Sequence, residues 1–548
     1  MTSGQHSHSV VDRIPTELLL AIGQFLDGTS LVDSLQVCRQ WYHTLQPLVW
    51  FTISEYQWHL KSFPIQPDIN PSRDLALFSH LPLVRQIAWA ENNIISSKKG
   101  SKIVLNRQFS VARLVWLLQR TPNLAILSLR RYCDGFSPVF YQTLTDLLNL
   151  RRLHIQVAFP KTRIPIENMF SLFSRLDELH LAGSWYTHEK STEPLSPSEK
   201  TVTPWRLKSL KCTRLDLALT QYCPNLIFFE MHSFEHRVGI PPVSLRFLLK
   251  CPKLKTVKLP SYTRPDDLVD MVETFRSLKA LRSLFFNVHL REELEFLCAP
   301  DFRSDKVQQS TNPCSSSHPL SAPEPDQEPL SVPLLEHLHI GQITVGVGRE
   351  DSFRMLRNIL KTRVNLKSFR MTGGPIDPTQ LFAQPGQETH DSWGCKDLRS
   401  LSFSLPGSMY VRTQEEQTLF WSPIYRQIGQ LPKLQSLTII CFTVQKDKSC
   451  GIHQLAGATS LRWLVLRGCE AAEWMREEIL DLVSALPKLE NLQLKPLRKG
   501  NFPQIKSWLC EAGRSDIIFG EQWECKQSGV DIARCDRNDY HIRYPDLF

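Results

Sequence analysis

A short apolar phrase recurs along the chain and constrains its fold more than any other feature. "CPNLIFFEM" at 223–231 returns as "CPKLKTVKL" at 251–259, and again at 121–129, 431–439 and 486–494. Each copy places apolar residues at i, i+3 and i+5. A phrase with a regular period predicts stacked structural repeats, because one unit cannot bury its apolar face alone.

Less perfect copies extend the series along most of the chain. The first apolar residue of each copy is Val84, Leu124, Leu150, Leu176, Leu207, Leu226, Leu254, Leu281, Leu335, Leu366, Leu398, Leu434, Leu461 or Leu489. Most successive copies are 26 to 32 residues apart, and the exceptions are intervals of 19, 36, 40 and 54 residues. We expect two or three copies to be coincidental, but not the series.

The L-x-x-L-x-L core of these copies resembles that of leucine-rich repeats, in their irregular, cysteine-containing form. Apolar residues at helical spacing at 110–120, 264–275 and 471–486 predict helices between the strands. The predicted fold class is therefore α/β. Over residues 81–495 we expect a solenoid with parallel strands on its concave side and helices on its convex side.

The N-terminal segment has a different pattern. Residues 13–45 hold three short apolar runs, too few to form a substantial core of their own. Pro15 suits the first turn of a helix, and Ser30 is a candidate cap for a second one. A segment of this kind packs on a neighbouring domain or presents apolar side chains to a partner.

The same segment resembles an F-box, predicted here at 10–50 as three short helices. The residues that carry the resemblance are Ile14-Pro15, Glu17-Leu18-Leu19, Leu26-Asp27, Val37-Cys38-Arg39, Trp41 and the closing Trp50. Two departures are conservative: Ile-Pro replaces the usual Leu-Pro, and Ser30 replaces a common Asp.

The resemblance implies the substrate-recognition subunit of a Skp–cullin–F-box ubiquitin ligase. The F-box would dock a Skp-type adaptor, and through it a cullin–RING ligase, while the repeats bind a protein substrate for ubiquitination. The implied adaptor-binding residues are Ile14, Pro15, Leu18, Leu19, Ile22, Leu31, Leu35, Val37 and Trp41. Two alternatives stay open: several of these residues only hold the helices together, or the chain is a scaffold whose adaptor contact serves another purpose.

Side chains alternate along each predicted strand, so the residues between and just after the apolar ones face the concave side. From this set we select as candidate substrate-binding residues Arg130, His154, His180, Phe228, Lys258, Phe285, His339, Arg370, Trp463 and Arg467. Arg152, Lys211, Lys495 and His337 share these positions, whereas Glu178 and Glu230 are the acidic members. The excess of basic residues favours an acidic or phosphorylated substrate, although solvated charges that never act together are the alternative.

The sequence does not favour an enzyme, a metalloprotein, a nucleic-acid-binding protein or a membrane protein. The sequence lacks the phosphate-loop, nucleophile-elbow and H-E-x-x-H motifs, so we predict no enzyme and no cofactor. The 14 cysteines include no C-x-x-C pair, which argues against a metal site and favours free thiols. The net charge of +9 is spread along the chain, so nucleic acid is not an expected partner. No apolar run of membrane-spanning length occurs, and the N-terminus lacks a signal-peptide pattern; we expect a cytoplasmic or nuclear protein.

The remaining segments complete the predicted domain organisation. We expect a polar tail at 1–9, a linker at 51–80 that packs on the solenoid, and a capping segment at 496–548. Two stretches near 184–204 and 304–333 are rich in Ser, Pro, Glu and Gln, so we predict disordered insertions there.

Overall fold

The computed structural model divides the chain into two compact units, residues 1–281 and 282–548. The parts of the chain that the structure describes are residues 14–26, 28–54, 80–90, 111–132, 137–157, 169–182, 204–213, 219–232, 245–259, 271–288, 297, 334–343, 349–371, 393–404, 422, 424–442, 452–472, 476–497 and 501–519.

Three helices open the first unit: α1 (Thr16–Phe25), α2 (Gly28–Ser34) and α3 (Arg39–Phe51). The predicted cap at Ser30 is wrong, because α2 already begins two residues earlier. The helices surround a small apolar core. Its members are Leu31, Leu45 and Val49, with Leu26, Val32, Leu35, Trp41, Leu48 and Trp50 packed against them.

Close packing of α1 on α3 depends on Gly23. A Cβ atom at that position would lie 2.7 Å from side-chain methyl groups of both Leu45 and Leu48. The Gln40 side chain also donates a hydrogen bond from α3 to the backbone carbonyl of Ile14, at 2.9 Å. The start of α1 is therefore fixed to α3 by a polar contact as well as by packing.

Parallel strands follow the helices in the first unit, and each pairs with the next along the chain. They are β1 (Thr52–Ser54), β2 (Gln86–Ala90), β3 (Ile126–Tyr132), β4 (Arg152–Val157), β5 (Glu178–Ala182), β6 (Ser209–Thr213), β7 (Phe228–His232) and β8 (Thr256–Lys258). The connections contain α4 (Val111–Gln119), α5 (Pro138–Asp146), α6 (Phe170–Phe173), α7 (Met271–Ser277) and short 3-10 helices at Leu81–Leu83 and Leu245–Lys250.

The second unit has the same organisation, with consecutive strands paired in parallel. Its strands are β9 (Ser283–Val288), β10 (His337–Ile343), β11 (Ser368–Met371), β12 (Ser400–Ser404), β13 (Ser436–Phe442), β14 (Trp463–Ala472), β15 (Asn491–Leu497) and β16 (Ile518–Phe519). Its connections include α8 (Arg349–Thr362), a 3-10 helix (Ile452–Gly457), α9 (Arg476–Ala485) and α10 (Asn501–Glu511).

The repeat pattern explains where the core lies in each unit. Every one of the fourteen first apolar residues is at most 1% exposed, and a strand begins two residues after each. The expectation that two or three copies were coincidental is therefore wrong. Consecutive parallel strands that bury one apolar row confirm the predicted leucine-rich-repeat solenoid fold.

The domain boundaries differ from the prediction at both ends of the repeats. Residues 52–54, predicted as linker, form β1, which pairs in register with β2. In the predicted capping segment, α10 is followed by β16, which pairs with β15. The repeat sheet thus extends beyond 81–495. The predicted disordered insertions lie almost entirely outside the described residues.

The predicted helices are confirmed with shifted ends. The helix at 110–120 is α4, and the helix predicted at 264–275 begins at Met271 within the described residues. The third prediction, 471–486, starts too early because β14 runs to Ala472 and α9 begins at Arg476.

Candidate functional site

Helix α1 carries large apolar side chains on its solvent side. Leu18 is 53% exposed and Phe25 is 90% exposed. Ala21 on the same helix and Pro15, which immediately precedes it, are exposed as well. Leu18, Ala21 and Phe25 follow the i, i+3, i+7 spacing that places residues on one side of a helix. Exposed apolar side chains that share one side of a helix are a candidate binding surface.

The structure divides the nine predicted adaptor-binding residues into three groups. Pro15, Leu18 and Val37 are exposed, whereas Ile14, Ile22, Leu35 and Trp41 are partly buried. Leu19 and Leu31 are buried, and Leu35 and Trp41 pack on the same core as Leu31. For Leu19 and Leu31 the interface prediction is replaced by a packing role, since a side chain enclosed by its own helices has no surface left for a partner.

One exposed residue was missing from the predicted set. Phe25 is the most exposed of the large apolar side chains that the structure describes, and it lies seven residues after Leu18. Two turns of helix separate these positions, so the heptad spacing alone would have identified Phe25.

The three helices join the repeats without a break. Helix α3 ends at Phe51 and β1 begins at the next residue; the Phe51 carbonyl accepts a hydrogen bond from the Arg85 backbone N–H at 3.0 Å. The Trp50 ring stacks on His80 with centroids 5.2 Å apart, and Gln46 Nε2 lies 2.9 Å from His80 Nδ1. Burial lowers the pKa of His80. The junction therefore fixes how α1–α3 sit on the first repeat.

The sheet of the first unit presents charged and aromatic side chains on its open face, by which we mean the strand residues that alternate with the buried row. On β4 and β5, His154 Nε2 lies 3.1 Å from Glu178 Oε1, and Arg152 Nε lies 3.6 Å from Glu178 Oε2. The His154 hydrogen bond lowers the pKa of Glu178 more than burial raises it. The His180 ring meets His154 edge-on at 5.5 Å.

A second group lies on the next three strands of the same face. Lys211, Glu230 and Lys258 occupy matching register positions of β6, β7 and β8. Lys211 Nζ is 3.2 Å from Glu230 Oε2. The two lysine ammonium groups lie over the ring of Phe228, at 5.5 Å and 5.4 Å from its centroid. We call these four residues the lysine–phenylalanine cluster.

The open face of the second unit holds the other predicted substrate-binding residues. The rings of Phe285 and His339 are 4.1 Å apart on β9 and β10, and Arg370 occupies the matching position of β11. Burial lowers the pKa of His337 on the same face. Trp463 is partly buried at the start of β14. Several positions between these groups hold small hydroxyl residues: Ser368, Ser400 and Ser402 are partly buried, and Ser436 and Thr438 are buried.

The ten predicted substrate-binding residues are therefore divided between the two units, five in each. The side chains of Arg130 and Arg467, and of Lys495, lie outside the described part of the chain, although their backbones are in β3, β14 and β15. In the first unit the predicted basic character is largely compensated, because both Glu178 and Glu230 lie beside basic side chains. The open face there is a row of paired charges rather than a uniformly basic surface.

The buried cysteines are thiols that fill the repeat core. Cys223 Sγ donates to the Leu219 carbonyl and Cys251 Sγ to the Thr220 carbonyl, both at 3.3 Å. Burial raises the pKa of the Cys251 thiol to about 12, so it stays protonated at neutral pH. Within the described residues no three His, Cys, Asp or Glu side chains converge to hold a metal ion. In that same part of the chain, no helix combines the length and the apolar character needed to cross a membrane.

Comparisons with known proteins concern mainly the N-terminal segment. The F-box-like family model matches residues 11–55, so this chain carries an F-box-like domain formed by α1–α3 and β1. No curated protein matches the chain. Among solved structures, the leucine-rich-repeat ectodomain of a plant membrane receptor kinase from Arabidopsis thaliana, in complex with Casparian strip integrity factor 2, is 13% identical with a TM-score of 0.23. The alignment covers 75% of this chain and 47% of the receptor chain, so this chain spans about half the length of that receptor chain.

Proposed function

We propose that this chain is the substrate-recognition subunit of a Skp–cullin–F-box ubiquitin ligase. In this proposal α1–α3 dock a Skp-type adaptor, the repeats bind the protein to be ubiquitinated, and the other subunits perform the chemistry. The observation that carries the proposal is the F-box-like domain at residues 11–55, whose first helix exposes apolar side chains.

The apolar strip of α1 supplies a physical reason for adaptor docking. Leu18 and Phe25 are largely in contact with water in the free chain. Moving such a side chain fully into an apolar contact contributes about 1.5–3 kcal/mol. Two such contacts on one helix would be the central anchors of a helix bound in a groove of a partner, with the surrounding contacts adding to them.

The junction with the repeats supplies the second part of the argument. A substrate receptor increases the local concentration of its substrate near the transferring subunit, which requires a defined geometry between its two binding surfaces. Because α3 continues directly into β1 and His80 contacts both Trp50 and Gln46, the F-box-like helices are held against the first repeat. In this proposal the chain contributes binding and orientation in the cytoplasm or nucleus, and the chemistry belongs to the other subunits.

Adaptor binding is tested with the double variant Leu18→Glu, Phe25→Glu in the full-length chain. Because an unpaired carboxylate is costly to bury, we expect the affinity for a purified Skp adaptor to fall at least 100-fold, with an unchanged melting temperature. Leu148→Glu is the matched control, since this leucine is 68% exposed in a repeat connection. Adaptor affinity within twofold of wild type in the double variant contradicts the proposal.

A second experiment separates a ligase subunit from a scaffold that uses the adaptor for another purpose. Proteins that accumulate when the gene is deleted should also accumulate when the double variant replaces the wild type, and their ubiquitination should fall in both strains. If adaptor binding is lost and no protein accumulates, the chain is a scaffold.

A further inference from the structure

The lysine–phenylalanine cluster carries one more positive than negative charge. Lys211 is paired with Glu230, whereas Lys258 has no ion-pair partner among the residues that the structure describes. Their neighbouring register positions place all three on adjacent strands, about 4.8 Å apart. The cluster therefore has the capacity to bind one further negative charge.

The surroundings of Lys258 favour the binding of an anion there. The side chain is half-buried, and burial lowers its pKa although the nearby Glu230 raises it. A partly desolvated ammonium group is unfavourable unless an anion or an aromatic face compensates it. Here the ring of Phe228 lies beneath the ammonium group, and Glu230 acts from beyond ion-pair distance while it is paired with Lys211. An incoming anion would complete the compensation.

We propose that this cluster is a docking point for an acidic segment of a partner protein, with one Asp or Glu carboxylate beside Lys258 and Lys211 and a neighbouring apolar side chain against Phe228. This inference rests on the proposed function in that it takes the partner to be the substrate. It goes further by assigning the contact to β6–β8 and by specifying the chemistry of the segment.

The charges favour a carboxylate over a phosphate. One uncompensated positive charge matches a monoanion, whereas a phosphate carries a charge of about −1.5 to −2 at neutral pH. Glu230 lies between the two lysines and repels the additional charge. The cluster also contains no Arg, whose planar fork grips phosphate oxygens in pairs; lysine acts as a point charge.

The proposal is tested by selecting random displayed peptides on the immobilised full-length chain. We expect peptides selected by the wild type to be at least threefold enriched in Asp and Glu, with an apolar residue nearby. Lys258→Gln should abolish that enrichment. Lys255→Gln is the matched control. It removes the same charge from an exposed lysine that precedes β8 and lies outside the open face. No acidic enrichment in the wild type, or the same enrichment in Lys258→Gln, overturns the proposal.

A second measurement requires no protein variant. In the best selected peptide, replacing the acidic residue by its amide should weaken binding to the wild type at least tenfold, measured by fluorescence anisotropy. A peptide with phosphoserine at that position should bind no more tightly than the peptide with the carboxylate. Tighter binding of the phosphoserine peptide overturns the assignment to a carboxylate. Adaptor affinity is measured on the same preparations. If the wild-type chain binds the adaptor but shows no preference for acidic peptides, only the docking point is wrong. If the wild-type chain does not bind the adaptor, the proposed function itself is contradicted.

Discussion

Leucine residues have opposite environments in the F-box-like helices and in the repeat strands. Leu153 on β4 is fully buried, and every first apolar residue of the repeats is at most 1% exposed. Leu18 on α1, in contrast, is 53% exposed. In a stack of repeats each apolar row meets the rows of its neighbours, so no member is left in water. Within the described residues, the main contacts between the three helices and the first repeat are made by α3, and Leu18 and Phe25 lie on the exposed side of α1.

This difference separates apolar residues that stabilise the fold from those available to a partner. Leucine occurs in both regions, so residue type does not distinguish them. Exposure does, because a large apolar side chain in water contributes little to folding and is available to a partner, most of all where several such side chains lie on one side of a helix. The predictions below test the distinction, from the largest expected effect to the smallest.

The largest expected effect is the difference between two identical substitutions. Leu153→Ala should destabilise the protein by about 2–5 kcal/mol, because it leaves a cavity in a closely packed row. Leu18→Ala should change the stability by less than about 0.5 kcal/mol, as expected for an exposed site. Urea denaturation followed by circular dichroism measures both. Equal losses of stability would show that Leu18 is part of the core and would remove the distinction.

Two glycines allow a second comparison between the regions. A Cβ atom at Gly429, in the second unit, would overlap the backbone carbonyl of Gln454, whereas one at Gly23 would meet only the ends of the Leu45 and Leu48 side chains. Backbone cannot yield as side chains do, so we expect Gly429→Ala to cost about 3 kcal/mol and Gly23→Ala about 1 kcal/mol. Thermal denaturation of both variants checks this order, and a larger loss for Gly23→Ala contradicts it.

The sequence predicts the repeat rows well for a physical reason. Alternation along a strand is strict, so an apolar residue at i, i+3 and i+5 of each copy fixes which side chains face the core, and all fourteen copies are correct. A helix is less restrictive. Leu18 and Leu19 are adjacent and equally apolar, yet only Leu19 is buried, because the packing of α1 on α3 decides which side faces inward.

The open face is predictable in position but not in pairing. Lys211, Glu230 and Lys258 all occupy the fifth position of their copies, so the repeat alignment places them in one row. That Lys211 pairs with Glu230 while Lys258 does not depends on side-chain conformations that the sequence does not specify. The predicted basic face was consequently too simple for the first unit.

The junction between the two regions should respond to pH. The pKa of His80 is lowered in the folded chain, so between that pKa and the ordinary value near 6.5 the unfolded state binds more protons. The contribution of neutral His80 to the free energy of unfolding is therefore complete above pH 6.5, and it is lost as the pH falls towards the lowered pKa. His80→Gln should therefore reduce the loss of stability between pH 7.5 and 5.5, measured by urea denaturation. The lowered pKa of Glu178 acts only below about pH 4.5, outside this window. Identical pH profiles of wild type and variant would exclude His80 as the responsible group.

The smallest expected effect concerns the interval of 54 residues, in which the sequence contains no copy of the repeat phrase. Strands β9 and β10 pair directly across this interval, with Leu284 opposite Leu338 and Phe286 opposite Ile340. Within the described residues, the sheet is therefore continuous without any contribution from the inserted segment. Deleting residues 304–328 should leave Leu297 and its hydrogen bond from Arg363 Nε, at 2.8 Å, in place.

The remaining effect of this deletion is the entropy of closing a shorter loop. That entropy changes by about 0.6 kcal/mol for each twofold change in loop length, so we expect the stability to rise by about 1 kcal/mol or less. Urea denaturation of the deletion variant measures it, and removing an equal length that includes β11 is the destabilising control. A loss of several kcal/mol on deleting 304–328 would mean that this segment packs on the repeats, and that apolar residues outside the periodic rows also stabilise the fold.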